Sequence, residues 1–243
     1  MAELKQRVAL VTGASRGLGR AIAIKLARKA GRVGVHYYRE RKAALGTIKE
    51  IKKLGADGYI FQADLSSLAK AIKLIQKVEK KWGRIDILVN NFGPFFQQSW
   101  EETSPQDWLS IYKNNVIIPL ELMKAVVPGM KARKWGRIIN LGFHRVGQMV
   151  AFPRVLPYAS AKTALLLITR TAASTLFEYG ITVNMVSPGL IEGGEMPEIV
   201  DQNLIRHHLG RAEDVATAVA FLASDEAQVI NGVNLVVAGT WKI

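Results

Sequence analysis

The stretch VALVTGASRGLG, residues 8–19, joins a short apolar run rich in β-branched residues to a turn with three glycines. Gly13, Gly17 and Gly19 let the backbone turn tightly and leave main-chain N–H groups open to a phosphate. A helix is predicted directly after the turn, over residues 20–30, because apolar side chains recur there at helical spacing. A glycine-rich turn between a strand and a helix predicts a dinucleotide-binding fold.

The rest of the chain repeats this alternation of strand and helix. Six further runs rich in Val and Ile have strand character: RVGVHYY (32–38), GYIFQAD (58–64), RIDILVNN (84–91), GRIINLG (136–142), GITVNMVSPG (180–189) and GVNLVVAG (232–239). The alternation predicts right-handed crossovers and one α/β domain over residues 1–243, with a seven-stranded parallel sheet and helices on both faces. Residues 190–210, where Gly193, Gly194 and Pro197 cluster, are expected to form a substrate loop.

Composition limits the class of protein. The chain has 243 residues, is 49% hydrophobic, contains no cysteine and carries a net charge of +13. No apolar run approaches the ~20 residues of a membrane span, and the polar start MAELKQ is no secretory signal, so the cytoplasm is the expected compartment. The basic residues are spread among helical segments, which favours a solvated surface over a nucleic-acid or membrane partner. Attraction of an anionic cofactor or acyl carrier is another use for this charge.

Tyr158 and Lys162, in the segment YASAK, carry the clearest catalytic signal. They are four residues apart in a helical pattern and therefore share a face. A phenol of pKa near ~10 is a poor base at neutral pH, but a neighbouring ammonium lowers that pKa. Tyr158 can then donate a proton to a carbonyl oxygen, or accept it in the reverse direction.

These motifs, in this order, resemble those of the short-chain dehydrogenase/reductase family. TGASRGLG (12–19) is similar to the family's glycine turn, NNFG (90–93) to its NNAG element and YASAK (158–162) to its YxxxK pair. VNMVSPG (183–189) resembles the strand and turn beside the nicotinamide, and residues 221–237 resemble the last helix and strand. The resemblance spans nearly the whole chain, and the overall pattern is similar to that of bacterial 3-oxoacyl-[acyl-carrier-protein] reductases.

The resemblance implies a Rossmann fold and an NAD(P)-dependent oxidoreductase. It implies that Tyr158 transfers the proton, that Lys162 activates it and holds the nicotinamide ribose, and that Asn115 supports a proton-relay water. Besides Tyr158 and Lys162, it assigns these residues to the cofactor: Gly13, Ser15, Arg16, Gly17, Leu18, Gly19, Tyr38, Arg39, Asp64, Leu65, Asn91, Gly93, Pro188, Gly189 and Ile191. For Asp64, a helix N-cap is an alternative role.

NADP(H) is the preferred cofactor, with NAD(H) as the alternative. An NAD enzyme usually places an acidic residue at the end of the second strand. Here that strand ends HYYRER (36–41), and no carboxylate precedes Glu40. Arg16 and Arg39 are placed to bind a 2′-phosphate, which guanidinium groups match in geometry.

One part of the family's pattern is missing. The family places a serine after the fifth strand, where NLGFHRVGQ (140–148) offers Phe143, His144 or Arg145, depending on the alignment. Loss of one oxyanion donor costs about 10²–10³ in rate. Three hypotheses stay open. In the first, His144 or Arg145 supplies an N–H donor in place of the serine. In the second, the substrate has a pterin-like C=N bond. In the third, the protein binds cofactor without turnover. His144 as an exposed loop residue is an equal interpretation.

The expected substrate pocket and assembly rest on apolar clusters. Phe92, Phe95, Phe96 and Trp100 form either an apolar wall of the substrate cleft or packing under a loop. The run from Leu165 to Phe177 is apolar enough to predict burial against another subunit, and the family resemblance implies a homotetramer. No metal site is expected, because the pair His207 and His208 lacks ligand partners at a recognisable spacing.

Overall fold

The computed structural model describes residues 6–193 and 209–239 of the 243-residue chain. It contains seven strands: β1 Val8–Val11, β2 Arg32–Tyr37, β3 Asp57–Gln62, β4 Ile87–Asn90, β5 Gly136–Leu141, β6 Ile181–Pro188 and β7 Asn234–Val237. They pair in parallel in the order β3-β2-β1-β4-β5-β6-β7, which confirms the predicted seven-stranded parallel sheet. The strand order reverses between β1 and β4, and a ligand crevice is expected beyond their carboxyl ends.

Seven α-helices cover the sheet in the part of the chain that the structure describes: α1 Gly17–Ala27, α2 Arg41–Lys53, α3 Leu68–Trp82, α4 Pro105–Tyr112, α5 Ile118–Ala132, α6 Leu156–Leu176 and α7 Ala212–Leu222. A π-helical segment, Lys113–Ile117, joins α4 to α5. The first helix begins at Gly17, inside the glycine turn rather than after it. None of these helices combines the length and apolar character needed to span a membrane.

Two hydrophobic cores lie on the two faces of the sheet, because successive residues of a strand point to opposite sides. Ala9 and Val11 of β1 pack in the core that α1, α2 and α7 cover. Val8 and Leu10 pack in the core that α3, α5 and α6 cover. A strand buried on both faces must be apolar throughout, which is why VALV reads as a continuous run.

A buried carboxylate fastens β1 beside β4 at the amino ends of these strands. Asp86 is fully buried and accepts a hydrogen bond from the Val8 N–H (2.9 Å). The guanidinium of Arg84 donates to the same carboxylate at 2.7 Å, and Arg133 Nε donates to it at 3.2 Å. The pairing satisfies a charge that would be costly to bury alone.

The substrate loop predicted at residues 190–210 lies mostly outside the described residues. Its two described ends meet, since Ile191 forms a parallel bridge with Gly210 and the Glu192 N–H donates to the Gly210 carbonyl at 2.9 Å.

Candidate active site

The predicted site residues lie along one edge of the sheet. The glycine turn follows β1, Tyr38 and Arg39 follow β2, and Asp64 and Leu65 follow β3. Asn91 and Gly93 follow β4, His144 follows β5, and Gly189 and Ile191 follow β6, of which Pro188 is the last residue. Because all seven strands are parallel, their carboxyl ends share this edge.

The three glycines of the turn each meet a specific demand. Gly13 and Gly17 have φ angles of 63° and 52°, in the left-handed region that favours glycine. Gly19 has ordinary backbone angles, but a Cβ there would collide with the Gly13 carbonyl and lie 2.6 Å from Asn91 Nδ2. A Cβ on Gly17 would meet nothing within 4 Å, so open space lies in front of the turn.

The amino end of α1 is built to receive an anion. Its N-cap residue, Arg16, makes no side-chain cap bond, and no acidic residue occupies the first turn. The first N–H groups of a helix have no intrahelical acceptor, and the helix dipole favours negative charge there. The uncapped amino end and the open space at Gly17 therefore fit the pyrophosphate of a dinucleotide.

Asn91 and Thr12 hold the turn against the end of β4. Asn91 Nδ2 donates to the carbonyls of Thr12 (2.9 Å) and Gly13 (3.1 Å). Thr12 Oγ1 accepts from the N–H groups of Asn91 (3.0 Å) and Phe92 (2.9 Å). The side chain of Asn91 thus positions the turn, a role that is separate from the cofactor contact predicted for it.

The middle of the turn is held by other elements. Thr47 Oγ1 of α2 lies 3.3 Å from the Ala14 carbonyl and 3.2 Å from the carbonyl of the buried Ser15. Leu18 packs against the core under α1, so its side chain faces inward. Ser15 and Leu18 can therefore offer a cofactor mainly their backbone groups.

His36 of β2 is a site residue that sequence reasoning missed. Its Nδ1 accepts from the Gly13 N–H (2.9 Å), and its Nε2 lies 3.1 Å from the Ala63 carbonyl. The side chain is 2% exposed, and burial lowers the pKa of His36 to about 4, so the ring is neutral with its proton on Nε2. The sequence signal was a histidine inside an otherwise apolar strand, RVGVHYY.

The residues predicted to meet the adenosine ribose surround an exposed surface. The guanidinium of Arg39 lies 4.9 Å from the centroid of the Tyr38 ring, and Arg16 is exposed at the start of α1. The first carboxylate after β2, Glu40, precedes α2 and makes no side-chain cap bond. Arg16 and Arg39 thus both lie at the edge of the sheet where a contact with a 2′-phosphate was predicted.

Asp64 closes a local turn rather than capping α3. Its carboxylate accepts from the Ser66 hydroxyl (2.6 Å) and the Ser66 N–H (3.1 Å), and Lys70 Nζ lies 3.5 Å away. These interactions, the Ser66 hydroxyl first, lower the pKa of Asp64. The N-cap of α3 is Ser67, which makes no side-chain cap bond. Leu65 is buried in the core, so only its backbone can face a cofactor.

Lys162 lies between the end of β5 and Tyr158. Its Nζ donates to the Leu141 carbonyl at 2.8 Å and lies 5.5 Å from the centroid of the Tyr158 ring. The lysine is 3% exposed, and burial lowers its pKa to about 8. Tyr158 and Lys162 therefore share one face of α6, as their spacing predicted.

Asn115 reaches the same place from the π-helical segment. Its Nδ2 donates to the carbonyls of Pro94 and Ile111, each at 3.2 Å. Its Oδ1 is buried and has no hydrogen-bond partner within the described part of the chain. A Cβ on Gly93 would collide with Asn115 Oδ1 and lie 3.1 Å from Lys162 Nζ. The glycine thus leaves room beside an acceptor that a relay water could satisfy.

The loop after β5 presents Phe143 to the tyrosine. The ring centroids of Phe143 and Tyr158 are 5.7 Å apart. The His144 N–H donates to the Pro188 carbonyl at 2.9 Å, and its ring meets Phe143 edge-on. Arg145 Nε donates to Gln148 Oε1 at 3.2 Å. Of the three residues that could occupy the serine's place, Phe143 is the one whose ring is in contact with Tyr158, and a donor role for His144 stays a prediction.

Known proteins match this chain along nearly its whole length. The family model described as Enoyl-(Acyl carrier protein) reductase matches residues 13–240. The 3-oxoacyl-[acyl-carrier-protein] reductase FabG of Staphylococcus aureus is 34% identical over 239 residues, which cover 95% of this chain and 96% of that protein. The chain belongs to the short-chain dehydrogenase/reductase family. It is therefore an oxidoreductase of the type that binds nicotinamide cofactors.

Two solved structures of this short-chain dehydrogenase/reductase fold are similar along nearly their whole length. A blue fluorescent protein from a metagenomic library, in complex with NADPH, superposes with a TM-score of 0.89 at 30% identity and 98% coverage of both chains. Acetoin dehydrogenase YohF from Salmonella typhimurium superposes with a TM-score of 0.86 at 27% identity, covering 97% of this chain and 95% of that one.

The four aromatic residues expected either to line a cleft or to pack under a loop lie in different surroundings. Phe95 borders Tyr158, with ring centroids 5.2 Å apart. Phe92 packs against the core under α3 and α5, Phe96 packs against Ile111, Val116 and Ala161, and Trp100 is 59% exposed. Two further rings come from the loop after β5: Phe143, beside Tyr158, and Phe152, whose ring centroid lies 5.8 Å from that of Phe143. We call Phe95, Phe143, Phe152 and Tyr158 the aromatic cluster.

The end of β6 is tied to β7. The Gly189 N–H donates to the Val237 carbonyl at 3.0 Å, and a Cβ on Gly189 would lie 2.8 Å from the Cβ of Ala238. Ile191 is partly buried and packs against the core under α1, so its backbone is the part that remains for a cofactor. In residues 6–193 and 209–239, no three acidic or histidine side chains are grouped as metal ligands.

Proposed function

We propose that this short-chain dehydrogenase/reductase uses NADP(H) to reduce a carbonyl group. The observation that carries the proposal is the grouping of Tyr158, the buried Lys162 and the open acceptor of Asn115 beside the end of β5. Tyr158 is the proton donor, Lys162 lowers its pKa and holds the nicotinamide ribose, and Asn115 supports a relay water. His144 remains a candidate donor to the carbonyl oxygen.

The protein's own residues hold and move the proton. A bound reduced nicotinamide supplies the hydride. The Leu141 carbonyl fixes the direction of Lys162 Nζ, so that its charge lies beside Tyr158. An ammonium in a site of low dielectric stabilises phenolate strongly, which allows the phenol to release its proton to a carbonyl oxygen. The residue can be reprotonated through a water held by Asn115 Oδ1.

Preference for NADP(H) is supported by the cationic surface of Arg16 and Arg39 and by the NADPH bound to the metagenomic relative. Dissociation constants for NADPH and NADH test it. NADPH is expected to bind about 10- to 100-fold more tightly, since a charge-assisted guanidinium–phosphate bond contributes about 1.5–3 kcal/mol. Arg39→Ala is expected to weaken NADPH binding and leave NADH binding unchanged, so the two dissociation constants become more similar. Tighter binding of NADH refutes the preference.

The substrate is proposed to be a small carbonyl compound or an acyl-carrier thioester. FabG of Staphylococcus aureus is named for a 3-oxoacyl-[acyl-carrier-protein], and the Salmonella relative for acetoin, an α-hydroxy ketone. Both names support reduction of a carbonyl, or oxidation of the corresponding alcohol. The cytoplasmic location and the absence of nucleic-acid and membrane partners remain predictions from the sequence.

We propose a homotetramer, although fewer apolar side chains are exposed for subunit contacts than the sequence suggested. Leu165, Leu166 and Leu176 of α6 are buried within the chain itself. Leu167 of α6, Leu109 of α4 and Phe177, which directly follows α6, remain exposed and are among the apolar groups that another subunit could cover. Light scattering tests the assembly, and a monomer refutes it.

NADPH oxidation by wild type and by Tyr158→Phe tests the function. The substrate panel holds 3-oxoacyl thioesters, diketones, quinones and dihydropterins. Turnover of a carbonyl class that falls at least about 100-fold in the variant is expected, because the variant lacks the proton donor. Turnover of dihydropterins alone supports the C=N alternative. NADPH binding without turnover of any compound supports a protein that binds cofactor without catalysis.

A further inference from the structure

A chain of buried side-chain hydrogen bonds crosses the middle of the sheet and ends on α6, the helix of Tyr158 and Lys162. Asn90 of β4 and Asn140 of β5 are neighbours in the sheet, and Asn90 Nδ2 donates to Asn140 Oδ1 at 2.8 Å. Asn140 Nδ2 in turn donates to Thr169 Oγ1 of α6 at 2.9 Å. All three residues are buried, and the other residues of β4 are apolar. A polar group in such a core is costly unless it is hydrogen-bonded, so these bonds fix how the three elements meet.

The direction of every bond in this chain follows from Thr169. Its hydroxyl donates its hydrogen to the Leu165 carbonyl, one turn earlier in α6, at 2.8 Å. The hydroxyl oxygen can then only accept, so the carboxamide of Asn140 turns its nitrogen toward α6 and its oxygen toward β4, where Asn90 donates. Without the Thr169 hydroxyl, Asn140 Nδ2 would keep only the Met123 sulfur, 3.6 Å away, which is a weak acceptor.

Thr169 and Lys162 attach one face of α6 to adjacent residues of β5. They are seven residues apart, which is about two helical turns, and both side chains are buried. Lys162 Nζ donates to the Leu141 carbonyl at 2.8 Å, and Thr169 accepts from Asn140. A helix attached at one point can rotate or slide on a sheet, whereas two points two turns apart oppose both motions. The bond at Thr169 therefore holds the helix in the position from which Lys162 reaches Leu141.

The same chain contacts the segment that leads from Asn115 into α5. Asn115 lies in the π-helical segment Lys113–Ile117, which α5 follows directly. Asn90 Nδ2 lies 3.4 Å from the Pro119 carbonyl in the first turn of α5, and the sulfur of Met123, which approaches Asn140, belongs to the same helix. One buried network thus touches both helices that adjoin the candidate catalytic groups.

We propose that Asn140 and Thr169 are positioning residues for the reaction, which hold α6 so that the Lys162 ammonium stays beside the Tyr158 ring. The proposal rests on the carbonyl reduction proposed above and adds two residues to it. Both act through Lys162, whose Nζ lies 5.5 Å from the centroid of the Tyr158 ring. The proton still passes from Tyr158 to the carbonyl oxygen, so the network adds no chemical step.

The test compares wild type, Thr169→Val and Thr169→Ser in NADPH oxidation, with the carbonyl compound of the panel above that wild type reduces fastest. Valine has the shape of threonine without the hydroxyl, and serine keeps the hydroxyl. Thr169→Val is expected to lower kcat about 5- to 10-fold, the effect of one lost hydrogen bond, and to leave the NADPH dissociation constant within about 3-fold of wild type. Thr169→Ser should restore kcat to within about 2-fold of wild type.

The pH dependence of kcat distinguishes positioning from a general loss of stability. At an effective dielectric constant of about 20, each ångström added to the 5.5 Å between Lys162 Nζ and the Tyr158 ring raises the midpoint of the pH–rate profile by about 0.3. Thr169→Val should therefore have a midpoint at least about 0.3 higher than that of wild type. Lys162 on α6, and His144 and Arg145 on the loop after β5, are present in every variant, so their own charges do not produce the difference.

Thr182→Val is the matched control. Thr182 of β6 is a buried threonine like Thr169, and its hydroxyl has no hydrogen-bond partner in the part of the chain that the structure describes. It lies near the amino end of β6, whereas the candidate site lies beyond the carboxyl ends of the strands. Thr182→Val should change neither kcat nor the midpoint. Asn140→Leu removes the bond to Thr169 from the β5 side and repeats the test if Thr169→Val does not fold.

Hydrogen exchange of the backbone amides gives a readout without turnover. Residues 156–165 of α6 should exchange about 5- to 10-fold faster in Thr169→Val than in wild type or Thr182→Val. Unchanged exchange refutes the attachment of α6 by this network, whatever the substrate. An unchanged kcat and midpoint in Thr169→Val, or an equal loss in Thr169→Ser, refutes the positioning role and leaves carbonyl reduction in place. Failure of wild type to reduce any carbonyl compound, with NADPH bound, overturns the proposed function and the positioning role together.

Discussion

Acidification should destabilise this protein through one buried histidine, His36. Burial lowers the pKa of His36 from 6.5 to about 4 in the folded chain. Between these two values the unfolded chain binds a proton that the folded chain does not, so the free energy of unfolding falls as pH falls from about 6.5 to 4. The two pKa values differ by about 2.5, and each pKa unit corresponds to about 1.4 kcal/mol, so the full effect is about 3 kcal/mol.

Urea unfolding of wild type, His36→Asn and His36→Gln at pH 7.0 and pH 4.5 measures this effect. By pH 4.5, wild type should lose about 2 kcal/mol more than either variant, because the variants carry no titrating group at this position. Each variant can also retain a different one of the two His36 hydrogen bonds. Asparagine can place an acceptor near the position of Nδ1 and keep the Gly13 contact, whereas glutamine can place a donor near Nε2 and keep the Ala63 contact.

The same variants test whether His36 positions the phosphate-binding turn. His36→Asn should bind NADPH nearly as wild type does, and His36→Gln should bind it about 5- to 10-fold more weakly, since a lost hydrogen bond costs about 1 kcal/mol. Equal losses of stability in wild type and His36→Asn between the two pH values would refute the buried neutral histidine. Equal NADPH affinity of the two variants would show that the Gly13 contact does not set the geometry of the turn.

Three further predictions concern the turn, the catalytic lysine and the anchor of β1. Gly19→Ala should weaken NADPH binding at least about 10-fold, because the added Cβ collides with the Gly13 carbonyl. Gly46→Ala in α2 is the control: a Cβ there meets nothing within 4 Å, so this variant should gain about 0.5–1 kcal/mol of stability. Lys162→Met should abolish turnover but stabilise the cofactor-free protein by about 1–3 kcal/mol at pH 7. The stability advantage of Lys162→Met should shrink as pH rises from about 8 toward 10.5, because the lysine of the folded wild type is neutral in this range. Urea unfolding of both proteins across this range measures the trend. If Lys162 were solvated, the advantage would not change with pH. Asp86→Ala should lower the free energy of unfolding by about 3–5 kcal/mol, because the two arginines bound to Asp86 lose their carboxylate, and a loss below 1 kcal/mol would contradict the network.

The fold and the shared helix face of Tyr158 and Lys162 could be predicted because their signals are local. A strand buried on both faces must be apolar over consecutive residues, as in Val8–Val11. Two residues four apart in a helix share a face whatever surrounds them, as Tyr158 and Lys162 do. The glycine turn likewise follows from φ angles that glycine adopts readily, as at Gly13 and Gly17. Each of these features depends on a few neighbouring residues, so the sequence by itself determined them.

The surroundings of the phenol depended on contacts between distant segments, which no local pattern encodes. The contact between Phe143 and Tyr158 depends on the position of the loop after β5, which the bond between the His144 N–H and the Pro188 carbonyl joins to the end of β6. The separation of Phe95 from Phe92 and Phe96 follows from which core each ring enters. His36 gained its role because β2 and β3 lie side by side and bring Ala63 to its ring. The sequence determined which groups are present at this edge of the sheet. Tertiary packing decided which of them lie next to Tyr158, because the direction of a loop side chain is set by long-range hydrogen bonds and burial.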